Sequence, residues 1–470
     1  MTKDPQERPG PDEPQDPLAE MLNQLLGGGV PGLDPAQLAA AGIPTDPAML
    51  NQVLSQVQRM LSTAGDGPVN WDLARDLARQ TAATGGDPSV GEREAREVAE
   101  SLRLAELWLD GVTDLPAAGA SARAWSRSEW VEQTLPTWRK LAEPVAEAVA
   151  DAMAEAMSQQ VPEEMRQMVA AAGQMVRQVG GAVFGMQVGT AVGGLAREVV
   201  SSTDVGLPLA GPGTTALLPA NVTAFGEGLG VPAEEVRLFL ALREAAHARL
   251  FAHVPWLPPH LLGAVGAYAR GITIDTARLE EAVSSVDPTD PQALQQALSD
   301  GFFEPDRTPE QQAALDRLET ALALVEGWVD EVVDAAARER LSSAGALREA
   351  VRRRRASGGP AEHTLASLVG LELRPRRLRD AATLWSVLEE ARGRDGRDAV
   401  WQHPDLLPST EDLDDPQGFA KRRGDAEAAS ADVDAALARL LAGEEPDGGS
   451  PTEGPRDDDG DGPGDDAPRA

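Results

Sequence analysis

The chain has 470 residues, enough for two or three domains of ordinary size, and it carries a formal net charge of −34. Because phosphate backbones and anionic lipids repel such a charge, we expect neither a nucleic-acid partner nor a membrane partner. The sequence contains no cysteine, which excludes disulfides, thiol nucleophiles and thiolate metal sites and fits a cytoplasmic protein.

Residues 1–45 are predicted to form a disordered or flexible N-terminal segment. The first 17 residues are rich in Pro, Asp, Glu and Gln, which bury too little apolar area to offset the entropy lost on ordering. A short helix at Leu18–Leu26 and a glycine-rich link complete the segment. Its polar start lacks the apolar stretch of a signal peptide, which again predicts a cytoplasmic location.

A helical domain is predicted at residues 46–425, and residues 46–160 form its first part. Apolar side chains recur at helix spacing from Met49 to Leu61, which predicts an amphipathic helix there. The break that follows is rich in glycine and ends at a proline.

Three further helices are predicted in this first part. Asn70 is expected to cap a helix that runs to Ala82, because an Asn side chain accepts a hydrogen bond from a free N–H of the first turn. The next helix is expected from about Gly91 to Leu109. Ser128 is expected to cap the third.

Glycines recur at every fourth residue from Gly181 to Gly193, in the motif-bearing part of the domain at residues 161–425. They share one helix face, where each costs up to about 1 kcal/mol relative to alanine. We interpret the face as a site of close approach by another backbone rather than as a membrane dimerisation motif. Residues 201–220 are broken by Pro and Gly and predict short strands or an extended loop.

The following helix, predicted from about Ala233 to Ala252, carries two polar residues within an apolar stripe. The stripe recurs at helix spacing: Val236, Leu240, Arg243, His247, Leu250 and Val254. Glu244 lies beside it, one turn from His247. Buried charges are costly unless they are paired, so a structural salt-bridge cluster is one interpretation of these residues.

The segment Arg243–His247 also resembles the His-Glu-x-x-His helix of zinc proteases. In that pattern two imidazoles four residues apart bind zinc, and the Glu activates the bound water as general base. Here Glu244 and His247 occupy the second and third functional positions. Arg243 replaces the first His, and its guanidinium has no lone pair to offer a metal.

Five stretches carry a wider similarity. They follow one another in the chain: Val69–Asp72, Leu104–Asp110, Trp125–Trp130, Leu240–Phe251 with Val254–Leu257, and Leu324–Asp330. Over roughly residues 68–420 the sequence resembles a family of actinobacterial zincin-like proteins. Members of this family are labelled zinc-dependent metalloproteases or hydrolases, and one branch is labelled as associated with deazaflavin-coenzyme biosynthesis. The resemblance implies a mainly α, zincin-like metalloprotease fold with few short strands.

The resemblance also implies three functional residues. Glu244 corresponds to the general base, His247 to one zinc ligand, and Glu326, which Gly327 follows as in the family, to the third ligand. The implied activity is hydrolysis of peptide or amide bonds by zinc-bound hydroxide. Arg243 departs from the family pattern, so we expect zinc binding and catalysis to be impaired.

Two alternatives follow from that departure. In the first, Arg243 replaces the metal itself and bridges Glu326 bidentately, which gives a catalytically inactive pseudoenzyme that binds a peptide or protein. In the second, His253 or His260 folds back to supply the missing zinc ligand. The sequence predicts no particular oligomeric state.

A second long helix is predicted at about Pro309–Leu341. Glu326 borders its apolar stripe, whereas Glu319 and Asp330 are expected on a solvated face. Farther on, Arg352–Arg355 and Arg374–Arg379 are basic islands in an acidic chain. We expect them to pair internally with the acidic surface or tail, because a nucleic-acid site would need a basic domain and exposed aromatic residues.

The end of the chain is predicted to be partly helical and partly disordered. Helices are expected at Ala344–Arg355 and Asp380–Arg392. Residues 426–470 are expected to form a short amphipathic helix around Val433–Leu441, followed by a disordered acidic tail.

Overall fold

A computed structural model describes residues 67–159, 166–270, 308–357, 364, 368 and 377–442. The predictions for residues 1–45, for the helix from Met49 to Leu61 and for the acidic tail lie outside these residues. The predicted domain boundaries stay predictions.

The described part of the chain is mainly helical, as predicted. Its longer helices are α1 Trp71–Ala82, α2 Glu92–Leu109, α3 Arg127–Gln159, α4 Arg166–Ala196, α5 Pro219–Gly226, α6 Ala233–His253, α7 Leu257–Arg270, α8 Pro309–Ala337, α9 Ala344–Ala356, α10 Leu378–Asp398, α11 Thr410–Asp414 and α12 Pro416–Leu441. Two strands accompany them, β1 Ser121–Ala124 and β2 Thr214–Leu217. Two 3₁₀ turns, Ala399–Gln402 and Pro404–Leu406, connect α10 to α11.

Helix α1 begins as the sequence predicts, with Asn70 as its cap. The Leu73 N–H donates to Asn70 Oδ1 at 3.0 Å. The prediction that Ser128 caps α3 is wrong. The Ser126 N–H donates to Glu129 Oε2 at 2.7 Å and the Glu129 N–H donates to Ser126 Oγ at 3.2 Å, so these two residues cap the helix reciprocally.

The glycine face of α4 packs directly on α1. A Cβ added to Gly185, Gly189 or Gly193 would lie 2.6, 2.7 or 2.5 Å from a backbone carbonyl oxygen of Asn70 or α1. The prediction of a close backbone approach is therefore confirmed, and the glycines are required for it. In the part of the chain that the structure describes, no helix is sufficiently long and apolar to cross a membrane.

The two strands pair in parallel, with Ser121 opposite Thr214 and Ala124 opposite Leu217. An isolated antiparallel bridge joins Ser201 to Leu217 on the other side of β2. Short strands were expected only between residues 200 and 222, where β2 lies, so β1 is an addition. Its sequence, Ser-Ala-Arg-Ala, has little intrinsic preference for a strand, and its pairing with β2 provides the order.

Helix α6 lies at the centre of the molecule, in contact with α2, α5, α8, α9 and β2. All six residues of its predicted stripe are buried, and so are Leu242, Ala245, Ala246 and Arg249 on its other faces. The burial on every side explains why the helix has no solvated face that the sequence pattern could reveal.

Three helix boundaries differ from the predicted ones. The long helix α8 ends at Ala337 rather than near Leu341. Helix α10 extends from Leu378 to Asp398, past a kink at Gly393 where φ is +71°. The last helix, α12, starts at Pro416, so it is considerably longer than the short helix expected around Val433.

Candidate functional site

Three of the four buried polar residues of α6 belong to the predicted site. The exposed fractions are 6% for Arg243, 0% for Glu244 and 2% for His247. Glu326, on the neighbouring helix α8, is 1% exposed. Groups of this kind are stable in the interior only when each finds a charged or hydrogen-bonding partner, so their partners define what the site does.

Glu326 is the centre of one cluster. Arg243 Nη2 lies 2.6 Å from Glu326 Oε2, so the expected contact between these residues is present, although through one nitrogen and not as a bidentate fork. His247 Nε2 lies 3.1 Å from Glu326 Oε1, and His247 Nδ1 lies 2.8 Å from the Arg243 carbonyl oxygen. Tertiary structure therefore joins all three of these predicted site residues, although Arg243 and Glu326 are separated by 83 residues in sequence.

A second guanidinium, which sequence reasoning did not assign to the site, contacts the same carboxylate. Arg355 Nη2, near the end of α9, lies 2.7 Å from Glu326 Oε1. The same nitrogen donates to the Asp204 carbonyl oxygen at 2.5 Å. Nothing in the run Arg352–Arg355 distinguishes Arg355 from its neighbours, because only the docking of α9 beside α8 determines which arginine reaches Glu326.

Asp204 forms the outer part of the cluster. Its Oδ2 accepts from the Val200 N–H at 2.9 Å and lies 3.1 Å from Arg354 Nη1. Burial raises the pKa of Asp204, but the guanidiniums of Arg354 and Arg355 outweigh burial and hold that pKa below its usual range. Asp204 therefore remains ionised and offsets part of the positive charge around Glu326.

The pKa of Glu326 is also lowered. Burial alone would raise it, but Arg355, His247 and Arg243 surround the carboxylate and more than reverse that effect. Arg243, Arg354 and Arg355 bring three positive charges to this cluster, and Asp204 and Glu326 bring two carboxylates. Even before His247 is counted, the described groups of the cluster therefore include more cations than anions.

Glu244 points away from Glu326, toward β2 and the residues that precede it. Its Oε1 accepts a hydrogen bond from Ser202 Oγ and another from the Ala216 N–H at 3.0 Å. Its Oε2 accepts from the Thr203 N–H at 3.1 Å and from Thr203 Oγ1 at 2.6 Å. A carboxylate has about four lone-pair positions, so four donors leave none directed at a water molecule. In this arrangement Glu244 fastens α6 to β2.

The two alternative histidines lie apart from the cluster. His253 is exposed, and its Nε2 lies 3.3 Å from the Ala117 carbonyl oxygen. His260 packs edge-on against Trp256, with ring centroids 5.7 Å apart. Within the described ranges, no three His, Asp or Glu side chains are placed so that they could share a metal ion.

The residues present do not fit a zinc ion. Zinc in a hydrolytic site takes three lone-pair donors from the protein. The first position holds the Arg243 guanidinium, which has no lone pair, and both oxygens of Glu326 are already engaged by arginines. His247 and Glu326 alone make two potential ligands, fewer than a hydrolytic zinc site needs.

One expectation about α8 is wrong. Asp330 was expected on a solvated face, but it is buried and its Oδ2 lies 2.7 Å from Arg348 Nη2 and 2.6 Å from Arg352 Nη2. Glu319 is half-buried. Arg352, Arg354 and Arg355 therefore pair internally, as expected, but with carboxylates of α8 and of the residues before β2, whereas Arg353 pairs with Glu349 of α9 itself.

Comparison with known proteins gives two findings. The sequence matches the zincin-like metallopeptidase family over residues 69–420. The fold is similar to the crystal structure of a protein from Chloroflexus aurantiacus described as a "putative hydrolase with a novel fold", with a TM-score of 0.51 and 21% identity over 75% of this chain and 98% of that one. At this identity the likeness concerns the fold alone. Among curated proteins, none matches the sequence.

Proposed function

The chain belongs to the zincin-like metallopeptidase family, and from that premise we propose that it is a member without zinc chemistry that serves as a metal-independent scaffold for a peptide or protein. The observation that carries the proposal is the Glu326 carboxylate, whose two oxygens are held by Arg243 and Arg355. The two guanidiniums neutralise the Glu326 carboxylate without a metal, so α6, which carries the Arg243–His247 segment, stays packed in the fold.

The surroundings of Glu244 support the same proposal. A general base must direct a lone pair at the proton it abstracts. Both oxygens of Glu244 instead accept hydrogen bonds from the segment Ser202–Ala216. Its described role is to join α6 to β2.

A stripe on α12 supports a macromolecular partner. Val433, Leu437 and Leu441 follow one another at i, i+4 and i+8 and are 66%, 52% and 82% exposed. Apolar residues at this spacing form the face that an amphipathic helix presents to a partner. A peptide or protein is therefore the class of partner we propose.

Metal analysis tests the first half of the proposal. Protein purified without chelators and dialysed against zinc is expected to retain substoichiometric zinc and to cleave no peptide of a mixed library. One tightly bound zinc per chain, with cleavage that a chelator abolishes, would overturn it.

Co-purification from the native host tests the second half. The double variant Val433→Glu/Leu437→Glu is expected to lose a partner that the unaltered chain retains. Ala435→Glu is the matched control, because Ala435 is also exposed on α12 but points away from the stripe. An identical set of bound proteins for all three chains would contradict the assignment of this face.

Zinc-dependent hydrolysis is the second candidate function, and one distance favours it. His247 Nε2 and Glu326 Oε1 are 3.1 Å apart, a separation comparable to that of two ligands on one tetrahedral zinc. Glu244→Gln distinguishes the candidates. If Glu244 is a general base, the variant should lose hydrolysis and keep normal stability. If Glu244 is a structural carboxylate, the variant should lose about 2–3 kcal/mol of unfolding free energy, because the amide faces hydrogen-bond donors.

A cellular location and a relationship within the family are also proposed from the sequence. The absence of cysteine and the acidic composition support a cytoplasmic protein. The segments around Trp71, Trp108 and Trp328 support a resemblance to actinobacterial zincin-like proteins. Association with deazaflavin-coenzyme biosynthesis, the label of one branch of those proteins, is proposed from that resemblance alone.

A further inference from the structure

The Glu326 carboxylate receives more positive charge than one anion requires. Arg243 of α6 contacts Oε2, Arg355 of α9 contacts Oε1, and His247 also faces Oε1. An ordinary buried ion pair needs one guanidinium, which can engage both oxygens of a carboxylate by itself. Here two helices each supply a cation to one oxygen.

The position of Arg355 is built into the fold. Its Nη2 also donates to the Asp204 carbonyl oxygen at 2.5 Å, which fixes the guanidinium beside Glu326. Gly206 lies beside this contact and has a φ of +80°. A Cβ at this position would lie 3.0 Å from Glu326 Oε1 and 3.8 Å from Arg355 Nη1, so a glycine, which has no Cβ, leaves room for the pair. The residues before β2 are thus shaped around the Arg355–Glu326 pair.

We infer that Arg243 and Arg355 act together as the replacement for a divalent cation at His247 and Glu326. The two guanidiniums carry the formal charge of a zinc ion, and each takes one oxygen of the carboxylate that the family uses as a ligand. This inference rests on the proposed function, because it presupposes a chain that holds no zinc. It assigns to Arg355 a role equal to that of Arg243.

A specific consequence follows for repair of the motif. Arg243→His restores the sequence His-Glu-x-x-His but leaves Arg355 on Glu326 Oε1, where it both occupies the ligand atom and repels a cation. The single variant is therefore expected to bind metal weakly. Removal of Arg355 as well frees the negatively charged Glu326 carboxylate to bind a metal ion.

Metal titration of four full-length variants tests the inference. They are Arg243→His, Arg355→Leu, Arg243→His/Arg355→Leu and Arg243→His/Arg353→Leu. Arg353 is the matched control, because it lies on the same helix but is 77% exposed and pairs with Glu349 at 3.0 Å. Zinc is measured by calorimetry, and Co²⁺ replaces it for the visible spectrum of a tetrahedral site.

The expected result is selective gain of binding in one variant. Arg243→His/Arg355→Leu binds one zinc per chain, on the order of 100-fold more tightly than either Arg243→His or Arg243→His/Arg353→Leu. Equal affinity in all three would overturn the role of Arg355, whereas the proposed function would stand. Stoichiometric zinc in the unaltered protein would overturn the proposed function instead.

Stability could obscure the result, so folding is measured in parallel. Arg355→Gln replaces Arg355→Leu in a second series, because the amide retains a hydrogen-bond donor toward Asp204. If the repaired variant is unfolded without metal, its circular dichroism is expected to recover on addition of zinc, since metal binding couples to folding. A repaired variant of either series that is folded and takes no metal, or that remains unfolded in saturating zinc, overturns the inference.

Discussion

Two buried carboxylates, Glu326 and Asp398, lie in ion-paired clusters of different composition. Asp398 is joined by one guanidinium, that of Arg397, which reaches its two oxygens at 2.8 and 3.1 Å. Its other donors are neutral: Trp328 Nε1, Thr113 Oγ1 and the Asp114 N–H. Glu326 is contacted by two guanidiniums and a histidine, and no backbone N–H or hydroxyl group is among its described contacts.

The difference is the one that the proposal requires between a structural ion pair and a site where arginines replace a metal. Around Asp398 one guanidinium engages both oxygens and neutral hydrogen-bond donors fill the remaining positions, so the carboxylate is buried with a single cation against it. Around Glu326 two guanidiniums from different helices meet one carboxylate, and we infer that they take the place of a metal ion. The burial and ionic pairing of the two carboxylates do not by themselves distinguish the two clusters.

The largest expected effect comes from removal of the shared anion. Glu326→Ala leaves Arg243 and Arg355 without the carboxylate that they share and should lower the free energy of unfolding by about 3–5 kcal/mol. Asp398→Ala should cost less, about 2–3 kcal/mol, because Arg397 keeps Glu389 and the Val112 carbonyl oxygen. Urea denaturation measures both, and equal losses would remove the distinction between the clusters.

The second prediction concerns cooperation between the two arginines. Either Arg243→Leu or Arg355→Leu leaves Glu326 with one cation and should cost about 1–2 kcal/mol. The double variant leaves the Glu326 carboxylate without either guanidinium. Its loss in free energy of unfolding should exceed the sum of the two single losses by about 1 kcal/mol or more. A double-mutant cycle in urea measures this coupling. Strict additivity would indicate that the guanidiniums act independently.

The third prediction concerns the glycine beside the cluster. Gly206→Ala requires an alanine at φ of +80° and places its Cβ 3.0 Å from Glu326 Oε1. Gly228→Ala is the matched control, because φ is +76° but nothing lies within 4 Å of the added Cβ. Both should lose about 1 kcal/mol from the strained backbone, and Gly206→Ala should lose about 1 kcal/mol more. Thermal denaturation compares them, and equal shifts would show that the cluster tolerates the methyl group.

The smallest expected effect is the response of Asp398 to acid. Burial raises the pKa of this carboxyl group, but Arg397, Thr113 and Trp328 hold it below its ordinary value of 3.8. The stability it contributes is therefore complete above about pH 5 and is lost as the pH falls through the lowered pKa. Asp398→Asn should be less stable than the unaltered protein at neutral pH, and the difference should narrow toward pH 3. A constant difference across that range would contradict the assignment.

Local features of the molecule were predictable because they depend on neighbours in sequence. Asn70 caps α1 through a bond that spans three residues, and the glycine face of α4 follows from a repeat of four. The zinc-protease pattern in Arg243–His247 is also local. From it the contact between Arg243 and Glu326 could be expected, since the resemblance implied that the Glu326 carboxylate of α8 faces this helix.

The cap at Ser126 was local too, because Ser126 and Glu129 form a capping box three residues apart, and the prediction chose the wrong serine. The strand β1 and the burial of Asp330 were not predictable in the same way. Asp330 looked like a solvated residue because its arginine partners lie on another helix, 18 and 22 residues later. Strand β1 depends on a partner strand some 90 residues away. Each is decided by which elements meet, and sequence periodicity does not carry that information.

The sequence by itself predicted a helical protein of this family, with an arginine where the zinc-protease pattern has its first histidine. Only the tertiary structure decided which groups that arginine contacts. It placed Arg355 on the other oxygen of Glu326 and turned Glu244 toward four donors near β2. Side-chain type determines what a residue can bind. The packing of α6, α8 and α9 determines which charged groups come together in the low-dielectric interior, where each needs a partner.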